Sequence, residues 1–402
     1  MINNEGFPSI FGRKDDLFLE DFDNKKSKFA TKIENSSILI IGGAGSIGSA
    51  ITKLLIKFMP FKVDVLDINE NGLVELVRDI RSSTLLYDKT KLKTFVVDVS
   101  SQIFESFLDE RGPYDFVFNL SALKHVRSEK DHYTLMRMIE VNIISTFRTL
   151  ELLSKFNNVK YFSVSTDKAS YPVNLMGASK RIMEGILFDN QLNISVTSAR
   201  FANVAFSQGS LLEGFINRIN KNQPLSSPNN ISRFFISSQE AARLSIIAAF
   251  DDEFKKIYVP GNSKKLEPKN FSDIAIKFLN IMGYTEKSFQ NEDLARKSTI
   301  NQNSNFKNEW PCYFFKSETS GEKLVEEFFS NNDIVNFDKF KEIGLLDFQP
   351  LSSNFSSLDF VEKLKNLSKK GKWDRDEIIK IFHQVLPEFN HLDTGKFLDE
   401  KM

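Results

Sequence analysis

Ser37-Ile38-Leu39-Ile40-Ile41-Gly42-Gly43-Ala44-Gly45-Ser46-Ile47-Gly48 decides how this chain folds. An apolar strand runs straight into a glycine turn, and the turn runs into a helical segment over residues 47–58. The glycines satisfy Gly-x-x-Gly-x-x-Gly from Gly42 and Gly-x-Gly-x-x-Gly from Gly43. Glycines so placed permit a tight turn and let backbone N–H groups at a helix N-terminus approach a pyrophosphate with no Cβ in the way. Asp67 follows the next apolar run, Lys62-Val63-Asp64-Val65-Leu66, at the spacing of about 20 residues where an acid hydrogen-bonds the adenosine ribose and repels a 2′-phosphate. The pattern therefore favours NAD over NADP, with Gly42, Gly45, Ser46, Ile47, Gly48 and Asp67 as cofactor residues. Asp98, in Val97-Asp98-Val99, reads equally as an adenine contact or a capping residue.

Working outward, apolar strand candidates follow at 94–97, 116–119, 161–164 and 194–197, with helical segments at 134–153 and 178–188 between them. Strands alternating with helices predict an α/β protein, a Rossmann-like doubly wound parallel sheet. After Arg200 the alternation fades, and 223–230 is turn-rich, which suits a smaller C-terminal substrate-binding lobe. The expected division is an N-terminal arm (1–36), a dinucleotide-binding domain carrying the catalytic residues (37–200), a mainly substrate-binding lobe with segments returning to the sheet (201–365), and a helical tail (366–402). In the tail, a basic cluster at 369–372 precedes an amphipathic helix expected from near Asp374.

Composition narrows the class. A chain of 402 residues has ample core for two lobes. Lys+Arg and Asp+Glu balance at 53 each, which argues against a nucleic-acid partner or an electrostatic membrane anchor. A single cysteine, Cys312, excludes an intramolecular disulfide framework and suits a reducing cytoplasm. The most apolar stretch, 38–61, is broken by four glycines of the turn and by lysines, so no membrane span is expected. His132, His383 and His391 have no metal-ligand spacing, and no metal is expected.

A second stretch carries the chemistry. Ser165-Thr166-Asp167-Lys168-Ala169 precedes Asn174-Leu175-Met176-Gly177-Ala178-Ser179-Lys180-Arg181. The layout resembles a short-chain dehydrogenase/reductase active site, a Ser/Thr-rich strand end followed by a helix bearing Tyr-x-x-x-Lys, with Met176 where the tyrosine stands. A thioether cannot relay a proton. The change therefore either abolishes the chemistry or hands the acid–base work to its neighbours, and Thr166, Asp167 and Lys168 are three hydroxylic or ionisable side chains in a row.

Together with 119–126, Val141-Asn142-Ile143, Arg200-Phe201-Ala202-Asn203-Val204 and Gly321-Glu322-Lys323-Leu324, these motifs resemble the extended short-chain dehydrogenases/reductases over about residues 37–346. Within them the chain is most similar to the configuration-retaining UDP-N-acetylglucosamine 4,6-dehydratases of polysaccharide biosynthesis, in which methionine replaces the usual tyrosine. Many of those carry an N-terminal membrane region. This chain resembles the soluble members linked to legionaminic acid synthesis, and its closing segment 389–402 shares their look.

The resemblance implies a reaction that oxidises C4 of the sugar, eliminates water across C5–C6 and returns the hydride to C6, leaving the cofactor unchanged overall. In it Asp167 protonates the departing C6 hydroxyl where burial keeps it neutral, Lys168 takes the C5 proton, and Thr166 positions or deprotonates the C4 hydroxyl. Lys180, one helical turn beyond Met176, holds the nicotinamide ribose. Ser121 and Ala122 are expected at the cofactor, and Lys124, His125, Asn142, Asn203 and Arg233 at the substrate, the last as a guanidinium fork for the diphosphate. Tyr171 is a possible substitute phenol without a role in the resemblance, and Arg218 and Lys221 are weaker diphosphate candidates. A UDP-sugar partner is expected, a GDP-sugar stays open, and a homo-oligomer is anticipated. The rivals are an epimerase or ketoreductase on the same fold, against which Met176 argues, and a catalytically silent NAD-binding regulatory protein, against which the intact Thr166-Asp167-Lys168 argues.

Overall fold

The structure is a computed structural model that describes residues 7–83, 92–189, 194–261, 265–300, 308–352 and 355–396. The glycine-turn strand, β1 (Ser37–Ile41), sits at its centre, its four aliphatic residues buried as a strand covered on both faces requires. On one side it pairs in parallel with β2 (Lys62–Asp67), which pairs with β3 (Leu92–Val96). On the other side lie β4 (Phe116–Asn119), β5 (Lys160–Thr166) and β6 (Ser195–Phe201), again all parallel.

The strand order 3-2-1-4-5-6 is that of a doubly wound sheet, and its direction of growth reverses beside β1. A crevice opens there, between the loops that leave the carboxyl ends of β1 and β4. The sheet continues past β6 with the parallel strand Lys256–Pro260 and then the antiparallel strands Ile343–Asp347 and Val335–Asn336, making nine strands among the described residues. The segment after residue 200 thus returns to the main sheet twice. Its helix Ser238–Phe250 is buried almost all round, which is why it shows no amphipathic period in the sequence.

The helical stretch expected at 134–153 runs as His132–Ile139, a π-helical turn Glu140–Ile144, and Ser145–Leu153. A second, smaller core gathers Leu212, Phe215, Ile231, Phe235, Phe271, Phe278 and Cys312 beneath a parallel three-stranded sheet formed by Leu225–Pro228, Glu309–Phe315 and Thr285–Ser288.

The N-terminal segment differs from a free arm. Its first helix, Phe7–Phe11, contributes Phe7, Ile10 and Phe11 to the small core, whereas Phe18, Phe22, Phe29 and Ile33 belong to the large one. Arg13 lies between them, paired with Glu240 (Nη2 to Oε2 2.9 Å) and donating to the Phe235 carbonyl at 3.2 Å. The segment is a strap across both cores, and short aromatic islands separated by polar residues are its sequence form. In the tail, Asp374 caps the helix Arg375–His383 by accepting the Glu377 N–H at 2.7 Å, as expected. The last part of the closing segment, 397–402, lies outside the described residues. No helix of the described residues is long and apolar enough to cross a membrane.

Candidate active site

The crevice deepens into one cavity of about 730 Å³ reaching from the glycine turn to the 319–326 segment. At the first end the turn is held by the Gly42 and Gly43 N–H groups, which donate to the Leu66 carbonyl at 2.8 and 3.0 Å. Gly42 has φ +78°, and a Cβ there would stand 2.8 Å from the Ser121 nitrogen. At Gly43 a Cβ would meet the Val65 side chain at 2.1 Å. These two glycines serve the fold. Gly45 is different: its φ is −68°, and among the described residues an added Cβ would meet, its chain neighbours aside, only the Gly42 carbonyl, at 3.5 Å. Its bareness is therefore of use only to whatever occupies the cavity it lines.

Gly45 also begins the helix Ser46–Leu55 with no side-chain cap, which leaves the helix N-terminus open to an anion. Ser46, Ile47 and Gly48 share that wall. Asp67 ends β2 at the cavity, its Oδ2 accepting the Ala44 N–H and its Oδ1 the Asn69 N–H, both at 2.9 Å, so it fixes the turn as well as facing the crevice. Asp98 lies two residues beyond β3, at the cavity but fully engaged: Oδ1 takes the Ser100 N–H and hydroxyl at 2.9 and 2.7 Å, and Oδ2 takes Arg137 at 2.6 Å. These partners hold its carboxyl below the usual range against partial burial. Ser121 and Ala122, after β4, line the same stretch.

At the other end β5 terminates in Ser165 and Thr166. Beneath them Glu184 and Arg200 form a buried two-point pair at 2.9 and 2.8 Å, and Ser165 donates to Glu184 at 2.7 Å. This pair ties the strand end to the helix Leu175–Phe188. Thr166 Oγ1 and Lys168 Nζ both donate to Asp167 Oδ1, at 2.8 and 3.0 Å. Thr166, Lys168, Met176 and Lys180 stand on the cavity wall, with Met176 and Lys180 on one helix face. Lys180 donates to the Val164 carbonyl at 3.0 Å, and burial lowers its ammonium to about 8. Asp167 lies behind Thr166 and Lys168 rather than on the wall.

Lys124, His125, Asn203 and Arg233 also reach the cavity. Burial is the first cause that lowers both Lys124 and His125 from their ordinary values. Asn142 is not brought there. It sits in the π-helical turn with Oδ1 on the Leu123 N–H and Nδ2 on the Leu123 carbonyl and Ser179 hydroxyl, all at 3.0 Å, so its amide is spent bracing the loop that carries Lys124. Arg233 donates to three backbone carbonyls, of Ser232, Lys323 and Leu324, and its Nη2 faces Glu322 and Glu326 at 3.6 and 3.7 Å. It holds the 322–326 segment in place.

That segment brings a group the sequence reading passed over, Glu326, buried on the cavity wall. It lies four residues beyond Glu322 in a stretch without helix or strand, so no periodicity marked its direction. The closing part of the chain is equally unforeseen. Leu392 N–H donates to the Val173 carbonyl at 2.9 Å and its carbonyl takes the Gly321 N–H at 2.7 Å, while His391 Nε2 lies 2.7 Å from Glu129 Oε2. The other oxygen of Glu129 accepts the Leu175 N–H at 3.0 Å. Residues 391–396 thereby join the start of the Met176 helix to the segment bearing Glu326. Among the described residues no cluster of three or more His, Cys, Asp or Glu could hold a metal ion.

A doubly wound α/β sheet with a crevice at its reversal point, walled by a glycine turn and an ionisable cluster, defines the class. The chain belongs to the polysaccharide biosynthesis protein family, which it matches over residues 38–347. It is 28% identical over 366 residues to an uncharacterized membrane protein of Methanocaldococcus jannaschii, covering 89% of this chain and 97% of that one. It is 29% identical over 309 residues to the capsular polysaccharide biosynthesis protein CapD of Staphylococcus aureus, covering 75% of this chain but only 46% of CapD, so it spans about half the length of that relative. A UDP-glucose 4-epimerase of Rickettsia bellii is 26% identical over 368 residues, with 83% and 99% coverage. Among solved structures, Pen of Bacillus thuringiensis superposes with a TM-score of 0.63 at 18% identity, covering 83% of this chain and 98% of that one. The dTDP-glucose 4,6-dehydratase DesIV of Streptomyces venezuelae, solved with NAD bound, superposes at 0.56 and 16% identity, with 84% and 99% coverage. These structures share the fold.

Proposed function

We propose that this protein is an NAD-dependent nucleotide-sugar 4,6-dehydratase that converts UDP-N-acetylglucosamine to the 4-keto-6-deoxy sugar with C5 configuration retained. The observation that carries the reading is the reaction end of the cavity. Met176 has no proton to move, yet Thr166 and Lys168 share its wall and are bound to one carboxylate, Asp167. An ionisable cluster that takes over from a phenol suits a reaction with several proton transfers beyond the oxidation at C4.

The residues fit the cofactor. Gly45 and the uncapped helix N-terminus would receive the pyrophosphate, Asp67 the adenosine ribose, and Lys180 the nicotinamide ribose. NAD, when bound, supplies a hydride acceptor for C4 and a hydride donor for C6. The chain's own side chains do the rest. Thr166 orients the C4 hydroxyl, the free amine of Lys168 removes the proton from C5, and Asp167 aims Lys168, its Oδ1 accepting from Nζ at 3.0 Å. Lys124, His125 and Asn203 line the route to the sugar nucleotide, the partner this reading requires.

The likeness to the Rickettsia epimerase favours a second reading, interconversion at C4. Mass spectrometry of the products from a panel of UDP-, GDP- and dTDP-sugars separates the two. A dehydratase yields a product lighter by one water with no net NADH, whereas an epimerase leaves the mass unchanged, and that outcome would replace the present proposal.

A further inference from the structure

The proposed reaction needs an acid for the departing C6 hydroxyl, and two buried carboxyl groups belong to the reaction end of the cavity, Asp167 behind its wall and Glu326 on it. They differ in placement and in the donors that one oxygen receives. Asp167 is 1% exposed and lies behind the wall; its Oδ1 accepts from the Thr166 hydroxyl and from Lys168 Nζ, while its Oδ2 is buried with no hydrogen-bond partner among the described residues. Its engaged oxygen serves Thr166 and Lys168, and the residue does not line the cavity. It is arranged to accept.

Glu326 is also 1% exposed but belongs to the cavity wall, and among the described residues its Oε2 has no hydrogen-bond partner. The cations around it stand off: Arg233 Nη2 at 3.7 Å from Oε1 and Lys323 Nζ at 3.9 Å from Oε2. Arg233 is occupied by three carbonyls and Glu322. The backbone beneath is pinned, since Arg200 Nη1 donates to the Phe328 carbonyl at 2.9 Å. A buried oxygen without a donor is costly as a carboxylate and cheap as a neutral acid. Burial accordingly raises the Glu326 carboxyl above its ordinary value, the Lys168, Arg233 and Lys323 charges opposing the rise and the Asp167 carboxylate adding to it.

We propose that Glu326 is the general acid of the dehydration, delivering its proton to the C6 hydroxyl as the C6–O bond breaks. The proposal rests on the dehydratase reading and changes one assignment within it: Asp167 positions Lys168, and Glu326 supplies the proton. The step balances. The free amine of Lys168 takes the C5 proton, the C5–H electron pair forms the C5–C6 double bond, and the hydroxide equivalent leaves as water with the Glu326 proton; Lys168 gives its proton back to C5 when the hydride returns to C6. Oxidation at C4 releases one hydroxyl proton per turnover, and this proton restores Glu326.

The test pairs Glu326→Gln with a UDP-sugar bearing fluorine in place of the C6 hydroxyl, because fluoride leaves without protonation. On the natural sugar Glu326→Gln should lose roughly a hundredfold or more in kcat, the usual scale for a positioned acid. On the fluoro analogue it should turn over within about threefold of wild type, an energy difference of less than 1 kcal/mol, which also shows that the variant is folded. Glu326→Asp, which withdraws the acid by one methylene, should fall between. Wild-type kcat should decline as the pH rises through the Glu326 value and the donor loses its proton, and the residual rate of Glu326→Gln should lack that limb. Near wild-type activity of Glu326→Gln on the natural sugar, or equal loss on both sugars, overturns the proposal while leaving the dehydratase reading intact. A wild type that makes no dehydrated product overturns the reading itself, and the proposal with it.

Discussion

The two ends of the cavity are built by opposite means. The glycine-turn end is one contiguous strand, turn and helix, and what it offers a ligand is backbone: a bare Gly45 and an uncapped helix N-terminus. The reaction end is collected from separate segments, with Lys124 and His125 after β4, Thr166 at the end of β5 and Lys168 to Lys180 after it, Arg233, and Glu326. What it offers is charge, set by which side chains meet. A site made of backbone depends on local conformation, whereas a site made of side chains depends on every contact that brings its segments together. The first tolerates change elsewhere in the chain, and the second does not.

The largest effect should come from the reaction end. Lys168→Met keeps bulk and loses the amine, so product formation should fall by roughly 10²–10⁴-fold, as when a positioned base is removed, while NAD and UDP-sugar still bind. Asp167→Asn should fall less, because it removes the acceptor that aims Lys168 and leaves the amine in place. Both are measured as initial rates of dehydrated product beside ligand affinity by calorimetry. Equal wild-type rates in both variants would mean that the cluster is a structural ion pair, and the contrast between the ends would disappear.

At the cofactor end two neighbouring glycines should separate fold from binding. In Gly43→Val the new side chain collides with Val65, which a Cβ alone would meet at 2.1 Å, so the melting temperature should drop by the several degrees that an overpacking cost of about 1–3 kcal/mol implies. In Gly45→Val the nearest atom to the Cβ among the described residues, its own chain neighbours aside, is the Gly42 carbonyl oxygen at 3.5 Å. Stability without ligand should stay within about 0.5 kcal/mol of wild type, while NAD affinity falls by about a hundredfold, or 2.7 kcal/mol. Retention of NAD by Gly45→Val would mean that the turn faces something other than a pyrophosphate.

How much of this was legible follows from the same contrast. The doubly wound sheet could be read because β1, β2, β4 and β5 are apolar runs with turn residues between them, and Asp67 because its distance from the turn is set by one strand–helix–strand unit. Thr166, Lys168, Met176 and Lys180 were legible for the same local reason. Asn142 was misplaced at the substrate, since a one-turn π-helical widening decides which way its amide points, and no residue pattern announces that turn. Glu326 and His391 were passed over because their segments lack regular structure and reach the site only through tertiary contacts such as Arg233 to the Lys323 and Leu324 carbonyls. The N-terminal segment read as an arm because its aromatic residues are divided between two cores, which leaves neither face with a complete stripe.

The smallest predicted effect concerns the clasp, and it sharpens the comparison most, because His391 belongs to one end only. Its Nε2 meets Glu129 Oε2 at 2.7 Å, Glu129 Oε1 receives the Leu175 N–H at 3.0 Å, and Asn174 beside it donates to the Gly321 carbonyl at 2.7 Å. Gly321 must be glycine here: its φ is +69°, and a Cβ would stand 2.5 Å from that of Asn174. His391→Ala leaves Glu129 Oε2 buried without its partner, at a cost of about 1–3 kcal/mol in stability. It also loosens the join between the Met176 helix and the segment carrying Glu326, so kcat should fall by about threefold to tenfold, equivalent to 0.6–1.4 kcal/mol of barrier. NAD affinity should not change, since no part of the clasp touches the glycine turn. His391→Gln retains an N–H donor and should recover most of the lost rate. If His391→Ala weakens NAD binding as much as it slows turnover, the clasp supports the whole protein, and the two ends are not independent.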